Sequence, residues 1–85
     1  MRLEGKVALI SGGARGLGAE EAALFIKEGA SVVIADILVD EGNSLVEQLT
    51  QSGGKAKFVK LDATQEDDWR SAVEATVSSF GRLDI

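Results

Sequence analysis

Lys6-Val7-Ala8-Leu9-Ile10-Ser11-Gly12-Gly13-Ala14-Arg15-Gly16-Leu17-Gly18 is the stretch that decides the fold of this chain. Four apolar residues run without a break into a serine, glycines then crowd positions 12, 13, 16 and 18, and a helical pattern begins at once. A continuous apolar run of this length suits a parallel strand buried on both faces. A helix that starts directly after it presents unpaired amide N–H groups and about half a positive charge to whatever lies in front. Glycines at the junction let the backbone turn sharply and let an anion approach without meeting a Cβ. The stretch therefore points to a strand, a phosphate-cradling loop and a helix.

Outward from that loop the chain repeats the same unit. The pattern predicts strands over residues 6–11, 31–36 and 55–61 and helices over 16–28 and 39–51, with a third helix after residue 67. Gly29 and the pair Gly53-Gly54 stand where the first two helices should stop. Val32-Val33-Ile34-Ala35 is again continuously apolar, whereas Lys55, Lys57 and Lys60 interrupt the third strand and suit a sheet edge. Leu45, Val46 and Leu49 form the apolar stripe of the second helix. Thr64-Gln65-Glu66-Asp67 reads as a capping box, followed by Trp69, Ala72, Val73, Thr76, Val77 and Phe80 at helical spacing. Alternating strands and helices imply parallel pairing with right-handed crossovers and the strand order 3-2-1. The expected architecture is α/β, the N-terminal βαβαβα half of a doubly wound Rossmann sheet. Leu83-Asp84-Ile85 reads as the opening of a fourth strand, so residues 1–85 are expected to be a partial dinucleotide-binding domain, cut where that strand starts.

Composition narrows the function classes. The net charge of −5 offers no basic stripe for nucleic acid. With neither cysteine nor histidine there is no disulfide framework and the commonest metal ligands are missing. Apolar runs such as residues 22–26 are too short to cross a bilayer, and Glu4 and Lys6 interrupt the N-terminus before any signal-like segment. The expectation is a cytoplasmic protein with no nucleic-acid or membrane partner and no metal.

The usual Gly-x-Gly-x-x-Gly spacing is absent, because Glu21 stands where its third glycine would fall. Ser11-Gly12-x-x-x-Gly16-x-Gly18 instead resembles the Thr-Gly-x-x-x-Gly-x-Gly loop of the short-chain dehydrogenase/reductase family, with serine keeping the hydroxyl. The resemblance extends over essentially the whole chain. Asp36 ends the second strand where the family usually carries the acid that binds both adenosine ribose hydroxyls of NAD, and Ile37 would lie beside the adenine. Leu61-Asp62-Ala63-Thr64 is similar to the family's Leu-Asp-Val-Thr segment, where the aspartate accepts from the adenine amino group and the following N–H meets a ring nitrogen. Read from the residues alone, Asp62 fits equally a carboxylate that precedes a helix and favours its dipole. Phe80-Gly81-Arg82-Leu83-Asp84-Ile85 looks like the family's lead-in to an Asn-Asn-Ala-Gly motif that lies outside this sequence. The cofactor-binding set implied by the resemblance is Gly12, Arg15, Gly16, Leu17, Gly18, Asp36, Ile37, Asp62 and Ala63.

Two of these residues pull the cofactor choice in opposite directions. Arg15 suits the 2′-phosphate of NADP, and Asp36 repels it. Two unit charges about 4 Å apart interact by about 4 kcal/mol at an effective dielectric near 20. An exposed arginine returns about 1 kcal/mol or less. NAD is the expected cofactor. In the family a tyrosine with a lowered pKa moves the proton of an alcohol or ketone substrate during hydride transfer. The sequence has no tyrosine, and Ser44, Ser71 and Ser78 lack the required context, so no catalytic residue is named and the 85 residues alone are expected to be inactive. The resemblance further implies a small-molecule alcohol or ketone substrate and a homo-oligomer when the domain is complete. Two other readings stay open: a Rossmann-like methyltransferase, and a non-catalytic nucleotide-binding or interaction module.

Overall fold

A computed structural model describes residues 3–12, 14 and 16–85. Its elements run β1 (Val7–Ser11), α1 (Gly16–Lys27), β2 (Ser31–Asp36), α2 (Val39–Gln51), β3 (Ala56–Lys60) and α3 (Glu66–Phe80). The three strands pair in parallel in the order β1-β2-β3, which is the expected 3-2-1 arrangement read from the other edge. β1, β3 and α1 are each shorter than the sequence pattern suggests. Lys6 closes a turn by donating its N–H to the Leu3 carbonyl at 2.9 Å, although its own carbonyl still accepts from the Ser31 N–H. Glu28 leaves the helix because Gly29 and Ala30 return their N–H groups to the carbonyls of Ile26 and Phe25, a pairing that closes a helix at a glycine.

Strand register explains the two sides of the sheet. Ile10, Ile34 and Phe58 lie side by side across the three strands. Side chains alternate between faces along a strand. The even-numbered residues therefore share one face, where Ile10, Val32, Ile34 and Ala56 pack with Ala22 and Phe25 of α1 and Leu45 and Leu49 of α2. The opposite face joins Leu9, Ala35, Val59 and Leu61 to Ala72 of α3. Ile34 is fully buried at the centre of the first cluster. Burial of one such side chain contributes about 1.5–3 kcal/mol relative to exposure. Gly42 of α2 completes this layer by lacking a side chain, since a Cβ there would overlap the Phe58 ring.

The α3 stripe divides in two. Ala72 and Thr76 are wholly buried, and Thr76 satisfies its hydroxyl by donating to the Ala72 carbonyl at 2.7 Å. Trp69, Val73 and Val77, which share the same helical spacing, remain 37%, 39% and 44% exposed. Among the described residues α3 is the one helix on this side of the sheet, and it buries Ala72 and Thr76 while the larger neighbours stay partly exposed. Residues 84 and 85 return to the free edge of β1. Ile85 donates its N–H to the Val7 carbonyl and accepts from the Leu9 N–H, both at 3.1 Å, which is one rung of a parallel ladder. The chain after α3 thus reaches the edge of β1 that β2 leaves free.

Candidate functional site

Because the strands are parallel, Ser11, Asp36 and Lys60 end at one rim of the sheet. The loops that leave this rim carry the residues singled out by sequence. Gly12 turns the chain away from β1 while its N–H still reaches the Ala35 carbonyl at 2.8 Å. Gly12 and Gly16 have φ of +70° and +63°, values that favour glycine. A Cβ built on either meets nothing within 4 Å among the described residues beyond the adjoining chain. Gly12 and Gly16 therefore present bare backbone at the start of α1. That start carries no acid in its first turn, whereas α2 begins with Asp40 and Glu41 and α3 with Glu66, Asp67 and Asp68. An anion in front of α1 meets no carboxylate on that helix's first turn. Leu17 is 75% exposed beside this opening, and Gly18 is half-buried one residue further into the helix. Arg15 and Gly13 lie outside the described residues.

Asp36 links the two loops. Its Oδ1 accepts from the Leu38 N–H at 3.0 Å and its Oδ2 from the Ala14 N–H at 3.1 Å. The first bond closes a local turn after β2 and fixes the carboxylate, and the second ties the glycine loop to the end of β2. Each oxygen retains a second acceptor position. Ile37 follows with 55% of its surface exposed, an apolar platform next to the carboxylate.

The third loop departs from the expected cap. α3 begins after Gln65, whose side chain makes no capping bond, so Thr64 is not the N-cap of a capping box. Its hydroxyl and N–H both go to Asp62 Oδ1, at 2.7 and 3.0 Å. A threonine that can close a turn on the preceding aspartate serves the loop rather than the helix. The acid three residues into the helix, Asp68, reaches past Gln65 and accepts the Asp62 N–H at 2.8 Å. Trp69 donates its Nε1–H to the Ala63 carbonyl at 3.0 Å. Sequence reasoning missed both contacts, having placed Trp69 in an apolar stripe. The Thr64 hydroxyl and then its N–H hold the Asp62 carboxyl below the ordinary carboxylate range against the opposing effect of desolvation, with a lesser contribution from the charge of Lys60.

Asp84 was likewise invisible as a structural group, although an acid inside an apolar strand opening was a signal. Its Oδ2 accepts the Val7 N–H at 2.9 Å and its Oδ1 pairs with Arg82 at 2.6 Å. These contacts, led by the Arg82 hydrogen bond, hold the Asp84 carboxyl low, and Arg82 is raised in turn. A carboxylate depressed in the folded state contributes stability above its unfolded pKa and loses it as pH falls through the folded value. Stability should therefore fall on the acid side of the carboxylate range, and Asp84→Asn should flatten that decline in denaturant titrations run from neutral pH to strong acid. An acid limb of unchanged steepness in Asp84→Asn would show that Asp84 does not carry it. Among the described residues no cluster of acids suits a metal ion and no helix is long and apolar enough to cross a membrane.

This rim, with its glycine turn and acid-ended second strand, has a counterpart in known proteins. The family model described as short chain dehydrogenase matches residues 6–85. The chain belongs to the short-chain dehydrogenase family. It is 54% identical over 84 residues to tropinone reductase-like 1 of Erythroxylum coca, covering 99% of this chain and 30% of that protein. It is 46% identical over 84 residues to a 3-alpha-(or 20-beta)-hydroxysteroid dehydrogenase of Mycobacterium bovis, covering 99% of this chain and 31% of that one. The crystal structure of a hydroxysteroid dehydrogenase from Escherichia coli superposes with a TM-score of 0.94 at 38% identity, over 98% of this chain and 35% of that one. The chain thus spans about a third of the length of the short-chain dehydrogenases it matches.

Proposed function

We propose that this chain carries the NAD-binding elements of an oxidoreductase that transfers hydride between a nicotinamide and an alcohol or ketone. The observation that carries the reading is the open glycine loop at the start of α1, tied to Asp36 through the Ala14 N–H. In this reading the pyrophosphate lies against Gly12, Gly16 and Gly18, with Leu17 flanking it. Asp36 accepts from the ribose hydroxyls with the acceptor positions its two backbone bonds leave. Adenine rests beside Ile37, with its amino group on Asp62 and a ring nitrogen on the Ala63 N–H. That N–H has no partner among the described residues. The Asp36 charge favours NAD over NADP by repelling a 2′-phosphate.

The bound nicotinamide supplies the hydride chemistry. In this reading the chain's own residues hold the adenosine and pyrophosphate portion of the cofactor. The reductase and dehydrogenase names of the relatives support an alcohol–ketone couple as the substrate class. A cysteine-free sequence of net charge −5 supports a cytoplasmic setting without nucleic-acid partners. Exposed Val73 and Val77 on α3 support homo-oligomeric or intramolecular cover over that helix. Calorimetric titration of the protein as naturally produced tests the reading, with NAD expected to bind more tightly than NADP and S-adenosylmethionine not at all. Saturable binding of S-adenosylmethionine without NAD would overturn it.

A further inference from the structure

We propose that Asp68 and Trp69, on the first turn of α3, are positioning residues that shape the turn at Asp62 and Ala63 into a reader of the adenine edge. The inference rests on the adenine reading given above. It adds that the reading depends on two side chains that need not touch the cofactor.

Three successive peptide groups of the turn are held from outside or from within it. The Asp62 N–H is held by Asp68 Oδ2 at 2.8 Å. The Asp62 carbonyl accepts from the Gln65 N–H at 2.9 Å. The Ala63 carbonyl accepts from Trp69 Nε1–H at 3.0 Å, and the Thr64 N–H goes to Asp62 Oδ1 at 3.0 Å. Upstream, the Leu61 N–H donates to the Asp36 carbonyl at 3.0 Å, which fastens the turn to the end of β2. A peptide is planar, so fixing one of its polar groups restrains the other. On Asp62 and Ala63 themselves, two hydrogen-bonding groups have no partner among the described residues: the Ala63 N–H and Asp62 Oδ2. They are one donor and one acceptor on adjacent residues. Adenine offers the complement, a ring-nitrogen acceptor beside an amino donor. Hypoxanthine reverses that order, presenting a ring N–H beside a carbonyl.

The clamp also explains an unusual use of the helix start. Asp68 and Trp69 spend their polar atoms on the preceding loop, while the N-cap Gln65 makes no side-chain capping bond. The helix thereby transmits its position on the sheet, fixed by buried Ala72 and Thr76, to the turn that faces the ligand.

The test compares affinities for NAD and for nicotinamide hypoxanthine dinucleotide in the protein as naturally produced, using Asp62→Ala, Trp69→Phe, Asp68→Ala and Asp68→Asn. Loss of one positioning hydrogen bond should lower the NAD-to-hypoxanthine preference about threefold to tenfold in Trp69→Phe and Asp68→Ala. Asp68→Asn keeps an acceptor oxygen and should recover most of that preference. A preference that collapses in Asp62→Ala but stands in Trp69→Phe and Asp68→Ala overturns the clamp and leaves the adenine reading intact. A preference that survives Asp62→Ala overturns the adenine reading, and the clamp with it. Equal weakening of both dinucleotides in Trp69→Phe and Asp68→Ala assigns them a general structural role and also overturns the proposal.

Discussion

Gly16→Val should lower NAD affinity by about a hundredfold or more, equivalent to about 2.7 kcal/mol. Two effects add. The native φ of +63° lies in the left-handed region, where a β-branched residue is strained by about 1–3 kcal/mol. The new side chain also occupies the space in front of α1, where among the described residues nothing beyond the adjoining chain stands within 4 Å of a built Cβ. Backbone N–H bonds to an ionised phosphate are each worth about 1.5–3 kcal/mol, so displacing the phosphate from even one of them is costly. Gly16→Asn separates the two effects, because asparagine tolerates a left-handed backbone yet still places a side chain in the loop. Weak binding in both variants, with the melting temperature lowered mainly in the valine variant, is the expected pattern. Normal NAD affinity in both would remove the loop from the phosphate site.

Asp36→Ala should shift the preference from NAD towards NADP by tenfold or more, about 1.4 kcal/mol at the least. The repulsion relieved is about 4 kcal/mol for unit charges about 4 Å apart at an effective dielectric near 20. The structure alters how that result must be read. Asp36 accepts from the N–H groups of Ala14 and Leu38, so alanine also releases the glycine loop and the turn after β2. Absolute affinity for NADP therefore gains less than the charge argument alone predicts, and the ratio of the two affinities is the quantity to measure. Asp36→Asn keeps one acceptor oxygen for the backbone while removing the charge. It should move the ratio in the same direction with less damage to the loop. An unchanged ratio in both variants would transfer the choice of cofactor to another residue.

Much of the fold was legible because its signals are local. The apolar interiors of β1 and β2 mark buried parallel strands, and the lysines of β3 mark the sheet edge where β3 is found. Gly29 stops α1 through bonds that span only a few residues. The glycines at 12 and 16 announced their backbone conformation because few other residues adopt it without strain. Asp36 and Asp62 were legible as strand-end acids, and their position on one rim followed from parallel order alone.

Side-chain allegiance was not legible, because it depends on which partner is nearest once the chain has folded. Thr64 followed by acids has the sequence of a cap, yet its hydroxyl had a closer acceptor in Asp62, and α3 starts one residue too late for it. Trp69 has the spacing of a core residue, but the sheet meets α3 at Ala72 and Thr76, leaving the indole free to reach the Ala63 carbonyl. Asp84 reads as an oddity in an apolar run until β1 supplies the Val7 N–H that needs it. By itself the sequence determined the order of elements, the parallel sheet and the glycine turn, since periodicity and backbone preference act between near neighbours. Only the tertiary structure decided which carboxylate holds which loop, because a hydrogen bond between Ala14 and Asp36, or between Val7 and Asp84, exists only after the sheet has brought distant residues within about 3 Å of each other.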